Sequence, residues 1–375
     1  MKFVVEPTEL VDAVNWVARS LSTRPIKPEL LGILIDVDTS ITLTGSDLET
    51  STKAILKAEI AEKGKVLVPG RLLAEIARSL PSKPITFLLD GSRVLVTAGT
   101  AKFTLPTLSV HEYPTLPELP ETAGVIPSDV FAHAVNQVAV AAGKDDSLPT
   151  LTGVHIEINH NTITLAATDR YRLAVRELNW QAKSPDIESN TLVRARTLSD
   201  AAKSLTAHSQ VTLALSPTSS NERLIGFVSE LKTMTSRTLD GTFPPFKHLL
   251  PTDSVAEATI EVAPFLDSVR RVALVTDKTV PLRLIFNSNS LQLEAGTGEE
   301  AQATEELEIV YSGEPINIAF NPQYLTDGLQ ALGTPFVQIN FTGGNKPAVL
   351  TGKHQAAGTR DISYQYLLMP MRYGA

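Results

Sequence analysis

No cysteine occurs among the 375 residues, which excludes disulfides, thiolate metal sites and cysteine nucleophiles and fits a reducing compartment. No window approaches the roughly 18 uninterrupted apolar residues of a membrane span. The opening MKFVVEPTELVDAV breaks at Glu6 and Pro7 before a signal-peptide core could form. A cytoplasmic location with no membrane partner is therefore expected. Positive charge is not in excess either: the net charge is −8, which argues against a whole-surface nucleic-acid binder but leaves room for one basic face. Low-complexity tracts and like-charge blocks are absent, so order is expected almost throughout.

Motifs that carry chemistry are equally scarce. There is no G-x-x-x-x-G-K-[ST] loop, no G-x-G-x-x-G after a strand and no G-x-S-x-G elbow. The seven histidines are scattered, and His155 and His160 span a strand and its turn, a spacing that keeps both rings from one metal. Asp145 and Asp146 follow Gly143 and Lys144, and a solvated loop is a simpler reading of the pair than acid–base work or cation binding. Glu299, Glu300, Glu305 and Glu306 read as a solvated acidic rim that needs no ligand. Nothing in the sequence asks for a metal or a cofactor.

What is present is a repeat. With 43% apolar residues the chain can bury a large core, and its length suggests two or three domains. The stretch LLGILIDVDTSITLTGSDLETSTKAIL alternates apolar and polar residues in two runs joined by a short turn, then bends and alternates again, as a strand meander does. The same order recurs in TLTGVHIEINHNTITLAATDRYRLAVREL and, more loosely, in PLRLIFNSNSLQLEAGTGEEAQATEELEI, with Gly32, Gly153 and Pro281 in corresponding places. In step with it, KVLVPGRLLAEIARSL, NTLVRARTLSDAAKSL and INIAFNPQYLTDGLQAL each read as a short strand running into an amphipathic helix. Three further amphipathic helices, in EPTELVDAVNWVARSL, IPSDVFAHAVNQVAVAA and VAPFLDSVRRVALVT, open the units. Each third reads as helix, strands, helix, strands. Three tandem α+β domains follow, at 1–120, 121–252 and 253–375, with EYPTLPELPETAGVIP and HLLPTDSVAEATIEVA as linkers.

One segment stands out: LAATDRYRLAV places Asp169 between Arg170 and Arg172 at the end of an otherwise apolar strand. Asp169 can be read as a catalytic carboxylate or as a turn residue that bonds backbone N–H groups. Its counterparts in the other thirds are Asp47 and Gly298, and a position that alternates between Asp and Gly behaves like a turn.

ATDRYRLAV, together with the terminal YLLMPMR, STRP near Arg24, FNPQYL near Asn321 and GTFPPFKHLLP, resembles the bacterial beta sliding clamp family, the beta subunits of DNA polymerase III, across essentially the whole chain. The resemblance implies the DNA clamp fold: three structurally similar domains per subunit, and a head-to-tail homodimeric ring with helices inside and antiparallel sheets outside. It implies a non-catalytic processivity factor around double-stranded DNA. Its peptide-binding pocket tethers the DNA polymerase III alpha subunit, the clamp loader and other replication and repair proteins. By motif position that pocket takes Leu151, Thr168, Arg170, Tyr171, Arg172, Leu173, Pro244, Leu249, Leu367, Met369, Pro370, Met371 and Arg372. Polarizable methionines and aliphatic walls suit varied hydrophobic anchors, and arginines suit peptide carbonyls or carboxylates.

The resemblance also implies that Arg24 contacts DNA. Arg71, Arg196 and Lys203 are further candidates on or beside the inner helices, as are Arg19, Arg78, Arg270 and Arg271. Phe103 and Leu105 of one subunit and Ala273 and Leu274 of the next would form the apolar core of the dimer contact. Arg170 stands where many family members have Gly, and Tyr373 to Ala375 extend past the terminal motif, so the pocket's shape and peptide preference are expected to be this chain's own. The rival readings are a peptide-binding scaffold without DNA and an enzyme with its site at Asp169.

Overall fold

The computed structural model describes all residues except 207, 218–219, 221, 252, 276–279, 297–300 and 373–375. Among the described residues, six α-helices recur two to a third: α1 (Pro7–Ala18), α2 (Gly70–Ser79), α3 (Ser128–Ala139), α4 (Ala195–Ser204), α5 (Val262–Val272) and α6 (Pro322–Leu332). Helix α1 starts on a proline, whose fixed φ suits the first turn, and buries Leu10, Ala13, Val14 and Val17 along one stripe. Asn321 caps α6 by accepting from the backbone N–H groups of Gln323 and Tyr324, and Gly333 ends that helix in the left-handed region.

The meander also recurs. Strands Gly32–Val37, Ile41–Ser46 and Thr50–Leu56 pair in sequence order. So do Gly153–Asn159, Thr162–Thr168 and Arg172–Asn179, and Leu282–Phe286, Ser290–Ala295 and Ala303–Glu308. One element per third was not legible. Strands Lys2–Val5, Thr122–Pro127 and Ala256–Glu261 precede α1, α3 and α5. Two of them occupy segments read as linkers; their polar and proline-rich surroundings hide a short alternating pattern.

The chain forms two compact units. The first comprises Met1–Phe131, Trp180–Ile187 and Asp200–Thr238, and the second Ala132–Asn179, Glu188–Ser199 and Leu239–Ala375. Each holds one nine-stranded sheet and one smaller sheet, of five strands in the first unit and four in the second. In the first unit, strand Lys232–Arg237 pairs antiparallel with Thr50–Leu56, so the middle third continues the sheet of the first. The Ser20 and Thr52 hydroxyls meet at 2.6 Å, buried beneath that ladder. In the second unit, Arg172–Asn179 pairs antiparallel with Arg360–Leu368, so the middle third also continues the sheet of the last. Backbone ladders, not loops alone, join the repeats.

Apolar faces pack beneath these sheets. Phe3 and Phe87 stack with centroids 4.7 Å apart in the first unit, and Phe286 meets Phe341 at 4.8 Å in the second. Gly328 of α6 marks a tight helix–sheet approach: a Cβ there would overlap the Tyr366 ring. Gly328→Ala gains about 1 kcal/mol of helix propensity but forces an overpacking cost of about 1–3 kcal/mol. The expected outcome is a lower urea midpoint for the variant, and an unchanged or raised midpoint would refute the tight contact.

Candidate peptide-binding site

The site grows from a turn. Where strand Thr162–Thr168 gives way to Arg172–Asn179, the Thr168 hydroxyl donates to the Arg172 carbonyl at 2.6 Å and accepts from the Arg170 N–H at 3.1 Å. Asp169 Oδ1 accepts from the N–H groups of Tyr171 and Arg172 at 3.0 and 3.1 Å. Arg170 sits at φ 80°, a cost for a non-glycine residue that the surrounding hydrogen bonds offset.

The first third builds the same turn. Ser46 Oγ donates to the Thr50 carbonyl and accepts from Leu48, Asp47 Oδ1 accepts from Glu49 and Thr50, and Leu48 has φ 77°. A carboxylate that does the same backbone work in two repeats is a turn former. Gly298, its third counterpart, and Glu299 and Glu300 lie outside the described residues.

Asp169 also faces inward. Its Oδ2 accepts from Arg172 Nε at 3.0 Å, and Arg172 Nη1 donates to Asp327 Oδ2 at 2.6 Å and to the Tyr366 hydroxyl at 3.3 Å. The guanidinium lies 4.3 Å from the centroid of the Tyr324 ring. Only 5% of the Arg172 side chain is exposed. Burial alone would lower its pKa, but Tyr366, Asp327 and Asp169 outweigh that and raise it, so the charge is permanent. Burial pushes the Tyr366 hydroxyl up, and as a neutral donor it bonds the Tyr324 carbonyl at 2.9 Å. The network is a rigid polar floor.

Above it the surface is apolar and accessible. Tyr171 is 57% exposed, Leu249 48% and Met369 41%. Tyr171 stacks on Tyr324 with centroids 6.5 Å apart, and its carbonyl accepts from the Met369 N–H at 2.9 Å. Met371 N–H donates to the Ala319 carbonyl at 2.8 Å, which fixes the tail beyond the last strand. Pro244 is exposed between buried Phe243 and Phe246. Leu173 and Leu367 face each other across the ladder and pack with Phe243, Phe246 and Val349 in one buried cluster.

Leu151 is buried, and its carbonyl accepts from the Gly143 N–H at 2.7 Å, closing the loop that carries Asp145. Hydrogen bonds from Ser147 hold the Asp145 carboxyl below its usual range, with a smaller contribution from the charge of Arg170. Pro370 and Met371 are half-buried, and Arg170 and Arg372 are exposed. Thus Leu151, Arg172, Leu173 and Leu367 form the interior wall, while Arg170, Tyr171, Pro244, Leu249, Met369 and Arg372 present the outer surface.

Sequence reasoning missed the residues underneath. His155 stacks on Phe243 at 5.0 Å and meets Phe246 edge-on at 6.1 Å, while its Nε2 lies 2.7 Å from Asn190 Oδ1. The two phenylalanines flanking the proline pair of TFPPF, and Tyr324 with Asp327 on one face of α6, were the available signals.

The other expected residues lie elsewhere. Arg24, Arg71, Arg196 and Lys203 are exposed and make no ion pair among the described residues. Arg271 does: it pairs with Glu305, whose carboxyl also accepts from Ser268 at 2.6 Å and is held low by that arginine. Glu305 is therefore a paired group rather than part of a solvated rim. Arg19 lies 3.6 Å from Asp200, and Arg270 3.7 Å from Asp267. Leu274 is 83% exposed, Phe103 and Ala273 are half-buried, but Leu105 is fully buried in its own chain. Its side chain packs into its own chain's interior, on the same face of strand Ala101–Pro106 as Phe103.

Three copies of an α+β unit, joined by sheet ladders and carrying an accessible apolar surface over a fixed polar floor, define a binding protein of the DNA clamp fold. Residues 1–117, 125–245 and 247–372 match, in turn, the N-terminal, central and C-terminal domains of the DNA polymerase III beta subunit. The beta sliding clamp of Streptomyces coelicolor is 48% identical over 373 residues, covering 99% of each chain. A beta sliding clamp homolog, GriR of Streptomyces muensis, is 41% identical over 374 residues, covering 100% of each. Among solved structures, a Pseudomonas aeruginosa sliding clamp bound to griselimycin superposes with a TM-score of 0.91 at 28% identity, covering 100% of each chain. The beta subunit from Streptococcus pyogenes gives 0.90 at 26% identity, again over 100% of each chain. The chain belongs to the DNA polymerase III beta subunit family, the beta sliding clamps.

Two outcomes are expected of the site. Arg172→Met strands two carboxylates in a largely buried setting and lowers stability by about 3–5 kcal/mol. Asp169→Asn keeps the turn acceptor and costs far less; urea unfolding of both variants checks the order. For His155, burial lowers the pKa below the ordinary 6.5, against the opposing effect of Asn190. Its unfolded form therefore takes up a proton that the folded form refuses. Stability is fully present above about pH 6.5 and is lost as pH falls toward the depressed folded value. Unfolding midpoints at about pH 7.5 and pH 5 should differ less for His155→Gln than for the parent chain.

Proposed function

We propose that this protein is a non-catalytic DNA sliding clamp. In this reading it is a processivity factor, active in the cytoplasm, that encircles duplex DNA and holds replication and repair proteins by short peptides. The observation that carries the reading is the full-length match to all three beta-subunit domains on a chain whose own elements repeat three times. The domains divide at 120/121 and 252/253. Among the described residues no helix is long and apolar enough to cross a membrane.

The ring is a head-to-tail dimer. Two open sheet edges support it. Strand Ala101–Pro106 ends the five-stranded sheet and carries exposed Lys102, and strand Ala303–Glu308 ends the four-stranded sheet and carries exposed Glu306 and Glu308. An unpaired edge is a template for another strand, and opposite charges favour the pairing of these two. Because the two edges differ, the contact is heterologous, and its closure after two subunits is what membership of the beta sliding clamp family implies. Phe103, Ala273 and Leu274 supply apolar contact beside it. Exposed Arg24, Arg71, Arg196 and Lys203 meet phosphates without reading bases, which leaves the ring free to slide.

Peptides from the polymerase alpha subunit, the clamp loader and repair proteins dock over Tyr171, Pro244, Leu249 and Met369, with backbone and carboxylate groups within reach of Arg170 and Arg372. Asp169 supports binding over turnover, since its oxygens are engaged by the turn and by Arg172.

Light scattering across a dilution series should give about twice the 40.4 kDa subunit mass. The protein should be retained on nicked circular DNA and lost on linearisation. A strict monomer at high concentration, or equal retention on both DNAs, would leave a scaffold without a ring. Leu249→Ser should weaken a glutamine-led aliphatic–aromatic peptide by about tenfold without changing that mass.

A further inference from the structure

The turn, ladder and covering segment of the second unit's exposed apolar surface occur again, wholly within the first unit. Strand Lys232–Arg237 pairs with Thr50–Leu56 as Arg360–Leu368 pairs with Arg172–Asn179, and Thr50 stands opposite Ser236 as Arg172 stands opposite Leu368. The Arg237 N–H donates to the Glu49 carbonyl at 2.8 Å, just as the Met369 N–H donates to that of Tyr171 at 2.9 Å. Leu48 and Glu49 therefore hold the places of Arg170 and Tyr171, and Arg237 that of Met369. Ahead of the middle third, YPTLPEL runs parallel to FPPFKHL ahead of the last, which sets Tyr113 with Phe243, Leu116 with Phe246 and Leu119 with Leu249.

The chemistry displayed on this copy is different. Across the ladder, Ser51, Thr235 and Gly226 replace Leu173, Leu367 and Val349. Leu119 packs over Gly226, where a Cβ would overlap it, yet Leu119 is still 41% exposed and Leu48 39%. Leu48 also has φ 77°, a conformation costly for leucine and easy for glycine. An exposed apolar side chain at a strained turn gains little from its own chain, and contact with a partner gives it a role. Exposed carboxylates adjoin both leucines: Glu49 follows Leu48 and Glu118 precedes Leu119. Neither has an ion pair among the described residues, whereas Arg237 is paired with Glu222 at 3.0 Å.

We propose that this face of the first unit is a second docking surface, for a short peptide with an aliphatic anchor flanked by lysine or arginine. The anchor seats against Leu48 and Leu119, whose counterparts Arg170 and Leu249 both present the outer surface of the second unit. The flanking cations meet Glu49 and Glu118. Charge separates the two surfaces, because exposed Arg170 and Arg372 repel the same cations. The analogy rests on the peptide-binding reading of the second unit; the placement of Leu48, Glu49 and Leu119 does not.

The test titrates the full chain into two labelled peptides, read by fluorescence anisotropy: Gly-Lys-Leu-Ser-Leu-Lys-Gly and a glutamine-led aliphatic–aromatic peptide. The basic peptide should bind saturably, weaken as salt rises and resist displacement by the glutamine-led one. Leu48→Gly should weaken it about tenfold with melting unchanged or raised, since glycine relaxes the turn. Glu49→Lys should weaken it more at low salt than at high, and Leu249→Ser should leave it unaffected. The proposal is overturned if the parent shows no saturable binding, or if both first-unit variants, melting no lower than the parent, bind the basic peptide as the parent does. Loss of binding in Leu249→Ser, or displacement by the glutamine-led peptide, would also overturn it by placing the basic peptide on the second unit. A lower light-scattering mass for Leu48→Gly would overturn it as well, assigning the face to a second copy of the chain. Failure of the glutamine-led peptide alone would count against the second unit's reading, with the basic peptide still deciding this site.

Discussion

The ladder between strands Arg172–Asn179 and Arg360–Leu368 is the constraint on which the exposed apolar surface depends. Strand Arg172–Asn179 is the last strand of its own meander, and left alone it would expose a row of unpaired backbone groups. Pairing with the final strand satisfies them and sets Arg172 opposite Leu368 and Leu173 opposite Leu367. Side chains alternate with a period of two, so a slip of one residue would turn Leu173 outward and Arg172 out of its polar floor. Register, rather than any single contact, brings Tyr171, Met369 and α6 together.

Within that register, charge and apolarity take different layers. The permanent Arg172 cation is neutralised below the surface by Asp169 and Asp327, where low exposure strengthens each interaction and makes any missing partner costly. Above it lie Tyr171, Leu249 and Met369, accessible and without charge. The floor's value is geometric: it fixes the turn and the tyrosine pair, and in the proposed peptide-binding role such a preformed surface would reduce the freedom lost on ordering it. Both oxygens of the Asp169 carboxylate are committed to structure, one to the turn and one to Arg172.

The first unit repeats the strategy of strand addition, with Lys232–Arg237 beside Thr50–Leu56. It places the Lys232 hairpin against α1 and α4, with a different consequence: cations from three separate stretches of chain line one cavity. The same device that builds an exposed apolar surface in one unit builds a charged recess in the other.

Much of this was legible in residue order. Alternating runs and amphipathic stripes disclosed the three meanders and six helices, and the Asp47 and Asp169 turns could be matched because each depends on side chains within five residues of one another. The short strands before α1, α3 and α5 were missed because four to six residues amid prolines carry too little period to separate strand from linker. The burial of Leu105 gave no signal, because an apolar residue on an edge strand can face either a partner or its own core. His155, Phe243 and Asp327 gave no signal as a set, since they are far apart in the chain. Local periodicity and turn chemistry therefore determined the elements and their repetition, for these are set by hydrogen bonds and burial within a few residues. Which strands add to which sheet, and thus which distant side chains meet, was decided only by tertiary pairing, because backbone ladders form between any two open edges and carry no residue code of their own.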